Sequence, residues 1–275
     1  MFTKVFKTIV VGVDFSDYSK LVVRQAQLLS QIWKAKLVLV HAIHDPVVYS
    51  PSLYMSFPNV MTEKSYEERI KKIYSLQGSK IKIRAQRGTP TDLILSVARQ
   101  FSDPLVVVGH RGHHKIAKFF FGSTSQNLAL KAKIPVWIHR GSKLVKPHRI
   151  LIPHDLSTQA NLSIDIIKKL ALAYPMSYEV FYVQEKALPV LDYKTYKAAQ
   201  QKILKKTQTQ VQNLFKKYPH LPFVTADGEI SNKILKKTKN FDLLVMAQHN
   251  PKGWLSKSET ADLLNLVEKP ILVVH

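Results

Sequence analysis

A chain of 275 residues with 45% hydrophobic and 22% charged residues has the composition of a globular protein with material for a core, and its length holds one large or two small domains. It has no cysteine, which excludes a disulfide framework, thiolate metal sites and thiol catalysis. Its 41 Lys+Arg against 19 Asp+Glu leave a formal net charge of +22, a balance that draws anionic partners.

The first apolar stretch, Thr8 to Val13, is cut off by Asp14, far short of a signal peptide or membrane span. A cytoplasmic, non-secreted protein without a membrane span is expected. Thr8 to Val13 reads as a buried strand. Tyr18, Leu21, Val22, Gln25, Leu29 and Trp33 then fall at helical spacing, with Ser16 or Asp17 placed to cap the start. Leu37 to Ile43 is the next strand, Pro46 to Asn59 is irregular, and a helix runs through Glu63 to Leu76. After a strand at Ile81 to Ala85, Thr89-Pro90-Thr91-Asp92 gives a capping threonine, proline at the first helical position and an acid. Leu93, Ile94, Val97, Ala98 and Phe101 form that helix's buried face. Strands follow at Leu105 to Gly109 and Val136 to His139. The second half repeats the order, with Tyr178 to Val183 a strand, Tyr193 to Tyr218 a long lysine-rich helix, then Phe223 to Ala226 and Leu243 to Ala247. Short apolar runs alternating with amphipathic ones predict an α/β fold with a parallel sheet.

An internal repeat sets the domain count. Thr8 to Ser16 and Arg149 to Ser157 both read as a strand ending in Asp-x-Ser, with Asp14 and Asp155 lying 141 residues apart. Ile134 to His139 likewise matches Lys269 to His275. Two homologous halves, 1–141 and 148–275, are expected, joined by a short connector ending at Pro147, and they are expected to pack together.

Parallel sheets bind ligands at the carboxyl ends of their strands, where the order of connection reverses. At such a place the run Leu105 to Val108 leads into Gly109-His110-Arg111-Gly112, then nine residues, then Gly122-Ser123-Thr124-Ser125 opening a helix. Glycines admit a phosphate close to backbone amides, the helix start adds hydroxyls and a positive dipole end, and Arg111 and Lys115 add charge. The pattern is a phosphate cradle by chemistry, though neither a Walker A nor a G-x-G-x-x-G motif.

With Val13 to Ser16 at the start and Ile134-Pro135-Val136 at the end, Gly109-x-x-Gly112, nine residues and Gly122-Ser123 resemble the ATP-binding pattern of the universal stress protein family, in two tandem copies over the whole chain. The resemblance implies two Rossmann-like domains of the adenine nucleotide alpha hydrolase type, each a five-stranded parallel sheet of order 3-2-1-4-5 flanked by helices. It also implies ATP, with magnesium, between the first and fourth strands. Asp14 and the Ala42 backbone would face the adenosine, while Gly109, Gly112, Gly122, Ser123, Thr124 and Ser125 would hold ribose and phosphates, with Arg111 adding charge. Slow hydrolysis or autophosphorylation at Ser123 or Thr124 is within the family's reach, but binding in the stress response, gating a protein partner, is the reading adopted. The halves would mimic a family homodimer, packing their last strands, and the pair could itself dimerise.

The second half departs from this pattern. Ala247 and Asn250 stand where the glycines belong, and Lys257-Ser258 replaces Gly122-Ser123 after a shorter loop. One nucleotide site per chain is expected, with Asp155 capping its helix.

His110, His113 and His114 invite a metal reading, but no acid or cysteine completes a ligand set and none is assigned. Phe119-Phe120-Phe121 is read as packing under the loop. Basic residues outnumber acidic ones 21 to 8 through residue 141 and 20 to 11 after it. The lysine clusters are read as solvated faces in preference to a nucleic-acid surface. The alternative to a nucleotide module is a basic scaffold that binds nucleic acid or acidic partners.

Overall fold

In the computed structural model, residues 5–43, 62–76, 81–110, 122–184, 193–248 and 257–275 are described, and the chain divides into two compact units, Met1–Lys146 and Pro147–His275. No helix among the described residues is long and apolar enough to cross a membrane.

In the first unit the order is β1 (Thr8–Gly12), α1 (Asp17–Trp33), β2 (Lys36–Ile43), α2 (Glu63–Ile73), β3 (Lys82–Arg87), α3 (Pro90–Ala98), β4 (Pro104–Gly109), α4 (Ser123–Lys131) and β5 (Val136–His139). All pairings are parallel: β1 lies between β2 and β4, β3 pairs with β2, and β5 with β4. The sheet therefore runs β3-β2-β1-β4-β5, and its connection order reverses between β1 and β4.

Local chemistry sets the helix starts. Ser16 Oγ accepts the Ser19 N–H at 3.1 Å and is the N-cap of α1. Thr89 caps α3 ahead of Pro90, its Oγ1 accepting the Asp92 N–H and donating to Asp92 Oδ2 at 2.6 Å. Helix α1 buries Val22, Val23, Ala26, Leu29 and Trp33. Helix α3 buries Leu93, Ile94, Leu95, Val97 and Ala98, whereas Phe101, assigned to that face from the sequence, lies beyond the helix and is only half-buried. Pro46 to Asn59 lies outside the described residues.

The second unit contains β6 (Arg149–Pro153), α5 (Asn161–Ala171), β7 (Ser177–Gln184), α6 (Tyr193–Lys217), β8 (Phe223–Asp227), α7 (Ile230–Thr238), β9 (Leu243–Ala247), α8 (Lys257–Leu266) and β10 (Ile271–Val274). Here β6 pairs with β7 and β9, β8 with β7, and β10 with β9, all parallel.

The repeat extends to backbone detail. Phe15 and Leu156, each just after the aspartate, hold φ of 63° and 59°. Gly88 and Gly228, each just past the third strand of its unit, hold φ of 143° and 133°, conformations that favour glycine. Pro135 and Pro270 carbonyls each accept a strand N–H at 3.0 Å, from Val106 and Leu244. This register puts Val274 in the place of His139 and His275 in the place of Arg140.

The connector is held on the first unit. Gln25, fully buried on α1, donates through Nε2 to the Val145 carbonyl and accepts the Val145 N–H through Oε1, both at 2.8 Å.

Candidate functional site

The carboxyl ends of β1, β2 and β4 gather most of the described residues singled out from the sequence. Asp14 follows β1 in an Asx turn. Its Oδ1 accepts the Ser16 N–H at 3.1 Å and the Ser16 hydroxyl at 2.7 Å, and its own N–H donates to Ser19 Oγ at 3.3 Å. The cap of α1 is thus Ser16, and Asp14 orients that cap while Oδ2 engages no partner among the described residues.

Phe15, in the left-handed region, is held by its neighbours. Its N–H donates to the Tyr74 hydroxyl at 3.1 Å, and that hydroxyl also lies 2.9 Å from Ser19 Oγ. Burial pushes the Tyr74 phenol above its usual range. The Phe15 ring lies 4.3 Å from His41 and 6.4 Å from Tyr66, with the Arg69 guanidinium 4.8 Å from its centroid. His41 Nδ1 is bonded to the Val13 carbonyl at 2.9 Å, tying β2 to the turn after β1. Because β1 and β2 pair only as far as Gly12 and Val40, Ala42 projects two residues past the last pair, beside Asp14's turn.

At the end of β4, Gly109 pairs with His139. A Cβ there would lie 2.9 Å from Tyr18 Cε1 and 3.1 Å from Val22 Cγ2, so this glycine is required by the approach of α1, a role apart from any ligand. The Tyr18 hydroxyl donates to the His139 carbonyl at 3.0 Å, and His110 Nδ1 lies 2.8 Å from that hydroxyl. His110 Nδ1 also lies 3.2 Å from the His139 carbonyl, which can only accept, an arrangement that suits a proton on Nδ1.

Arg111 and Gly112, and with them His113, His114, Lys115 and Phe119-Phe120-Phe121, lie outside the described residues. Among the described residues no group of three His, Asp or Glu is placed to hold a metal ion.

The chain returns at Gly122, whose N–H donates to the His110 carbonyl at 2.9 Å, closing the loop on itself. Gly122 has an ordinary φ of −62°, and a Cβ would sit 3.4 Å from the His110 carbonyl oxygen and from Ser125 Oγ, in ordinary contact. Gly122 is the N-cap of α4 and supplies no side-chain cap. Ser123 is exposed and Thr124 half-exposed, but Ser125 is buried and donates its hydroxyl to the Gly122 carbonyl at 2.9 Å. Ser125 thus closes the first turn of α4 and differs in environment from the two hydroxyl residues before it.

His139 is fully buried with neither ring nitrogen hydrogen-bonded among the described residues, and burial lowers its pKa to about 4. Tyr18, Tyr66, Arg69, Tyr74 and His139 were not among the residues singled out from the sequence for this site. Their partners lie too far along the chain for a local pattern to pair them, and tyrosines at helical spacing read as core.

The second unit keeps the turn and changes its support. Asp155 Oδ1 accepts the Ser157 N–H at 2.9 Å, and Ser157 Oγ accepts the Ala160 N–H at 3.2 Å. Helix α5 begins only at Asn161 with Ala160 as N-cap, so Asp155 does not cap it as the sequence suggested. The strained Leu156 donates its N–H to His154 Nδ1 at 3.0 Å, while Tyr218, which follows α6 as Tyr74 follows α2, donates to Asp165 at 2.7 Å instead. Burial holds the His154 pKa down to about 4. Ala247 takes the register position of Gly109, facing Val274. Asn250 and the Lys257 side chain lie outside the described residues.

The profile of the Universal stress protein family matches the chain twice, over residues 6–140 and 147–275. A universal stress protein of Thermus aquaticus, named for its place in the QAH/OAS sulfhydrylase 3' region, is 29% identical over 148 residues, covering 49% of this chain and 99% of the relative. Universal stress protein A homolog 1 of Coxiella burnetii is 28% identical over 119 residues, covering 41% of this chain and 82% of its own length. Among solved structures, a universal stress protein from Archaeoglobus fulgidus matches with a TM-score of 0.66 at 17% identity, covering 99% of each chain, a likeness of fold.

Proposed function

The chain belongs to the universal stress protein family, and from that premise we propose that its first unit binds ATP, with magnesium, across the ends of β1 and β4, while the second unit is a copy without the site. The amino end of α4 carries this reading. It opens at Gly122 beside the end of β4, no side chain among the described residues caps it, and Ser123 stands exposed on its first turn. Backbone N–H groups and the positive end of a helix dipole at a topological switch point suit a polyphosphate.

The base end has a matching acceptor. Asp14 is oriented by the Asx turn with Oδ2 left over to accept from an exocyclic amino group, and the Ala42 backbone lies alongside. Donors at one end and an acceptor at the other, on strands β4 and β1 that are neighbours, fit an adenine nucleotide. ATP would bring the charge that draws the segment from Gly109 to Ser125 together, and Arg111 and Gly112 would belong to that segment. Ser123 and Thr124 would hold phosphate oxygens, with Ser125 supporting the turn beneath them. The organised loop is then a surface for a protein partner, a nucleotide-gated module acting in the cytoplasm. Asn250 in place of Gly112 and a turn supported by His154 instead of a tyrosine hydroxyl support a single site per chain.

The test is calorimetric titration of MgATP into the full chain at about 0.15 M salt, where nonspecific attraction to the net positive charge is partly screened. GTP and Gly122→Val are the controls, with turnover followed in the same samples. Saturation near one site per chain, lost in the variant, is expected. Absence of saturable binding in the unaltered protein overturns the reading.

A further inference from the structure

The long helix of the second unit has a composition its counterpart in the first unit lacks. Helix α2 spans 11 residues and mixes Glu63, Glu67 and Glu68 with Lys64, Arg69, Lys71 and Lys72. Helix α6 spans 25 residues, and from Tyr193 to Ala226 the chain holds no Asp or Glu at all.

Its lysines are also arranged. At 3.6 residues per turn, Lys202, Lys205, Lys206 and Lys216 fall within about 100° of one another and extend over about 21 Å of helix. All four are exposed, and no ion pair ties any of them to a carboxylate among the described residues. The opposite side of the helix carries the packing, with Leu214 and the following Tyr218 buried and Thr207 and Val211 half-buried. Lys217, at the margin of the row, is occupied by Asp165 at 3.7 Å and by the Tyr218 ring at 4.9 Å. A solvated face normally mixes signs, as α2 does. A one-sign row without counterions among the described residues is a different surface.

We propose that α6 is a docking face for the phosphate backbone of duplex nucleic acid, engaged without regard to sequence. A duplex carries a negative charge about every 1.7 Å of its axis with both strands counted, so a row of this length runs beside a stretch holding on the order of a dozen phosphates, of which its four lysines can each neutralise one. Lysine suits such contact as a point charge, and the row has no arginine fork or aromatic ring to read a base. A protein partner would need an apolar anchor among the charges. An anionic lipid surface would need apolar residues on the lysine side. Of the exposed apolar residues of α6, Ile203 lies about 60° beyond one edge of the row, and Leu204 and Phe215 lie about 80–100° beyond the other, so all three flank the row and none stands within it. This inference is independent of ATP binding by the first unit.

The experiment is fluorescence anisotropy of a labelled 30-base-pair duplex of arbitrary sequence with the full chain between 50 and 200 mM salt. Lys202, Lys205, Lys206 and Lys216 changed together to Gln should weaken binding at least tenfold and reduce the slope of log affinity against log salt by about three to four. A matched variant with Lys64, Lys71, Lys72 and Lys133 changed to Gln removes the same charge from the first unit and should change affinity less than threefold. Equal weakening by the two variants would show net charge alone at work and overturn the proposal. So would absence of duplex binding at 50 mM salt, or binding to phosphatidylserine vesicles, lost with Leu204→Ser, in place of the duplex. The replaced lysines are exposed, and unchanged thermal midpoints confirm that both variants are folded.

Discussion

The Phe15 N–H donates to the Tyr74 hydroxyl across 59 residues of chain, and this bond fixes a strained backbone immediately after Asp14. A bulky residue in the left-handed region costs of order 1 kcal/mol or more and persists only where its surroundings enforce it. Tyr74 does so while also bonding Ser19, which receives the Asp14 N–H. One hydroxyl therefore braces the backbone on both sides of the turn that carries Asp14.

Tyr74→Phe keeps the ring and removes the bond. We expect a stability loss of about 1–2 kcal/mol, from a half-buried N–H left unpaired, and an ATP affinity lowered several-fold. Urea unfolding and calorimetry on the same preparation check the two effects, and a stability loss without an affinity change would remove Tyr74 from the site.

Gly109 and Gly122 should behave oppositely. Gly109→Ala drives a methyl against the Tyr18 ring, disturbing its bonds to His139 and His110, and should cost about 1–3 kcal/mol of stability. Gly122→Ala meets only ordinary contacts and should unfold within about 1 kcal/mol of the parent, yet lose ATP binding. Comparing unfolding midpoints with titrations separates the roles.

Acid should weaken both units through buried imidazoles. His139 and His154 titrate near 4 in the folded chain against 6.5 ordinarily, so the unfolded chain binds the extra protons between those values. Their contribution is fully present above pH 6.5 and is lost as pH falls toward 4. The loss is of order 3 kcal/mol for each. His139→Phe should flatten the pH dependence of urea unfolding between 6.5 and 4, and an unchanged slope would mean that this ring is not the titrating group.

Gln25→Leu strips the Val145 N–H and carbonyl of their partners at once. A stability loss of about 2–4 kcal/mol follows from two unsatisfied backbone groups, and limited proteolysis should find a new cut near Ser142 to Pro147.

What could be read from the sequence was what the chain decides within a few residues. Ser16 and Thr89 set helix starts by bonds reaching three positions, Pro90 adds its fixed φ, and the apolar runs gave β1, β4 and β9 nearly to the residue. The paired aspartates announced the repeat. The supports of the site were not legible, because Tyr74, Tyr18 and His139 act across 59 to 121 residues and no spacing rule links them. The reason for Gly109 was hidden in the same way, since a glycine looks alike whether a phosphate or a tyrosine ring needs the room. Asp155 misled because the turn it makes is the same in both halves while the helix after it starts later.

The paired left-handed residues, Phe15 and Leu156, turn the molecule into its own reference measurement. Both halves descend to the same backbone torsion after the same aspartate, although one holds it with a phenol and the other with an imidazole. Subtracting the second half from the first cancels that torsion as a demand of the chain path. What survives the subtraction is the glycine at the end of β4, the tyrosine hydroxyl and the serine-rich start of α4. What survives in the other direction is the lysine row. Each remainder marks a site of divergence between two copies of one plan, and each gives a ligand a means of telling the halves apart.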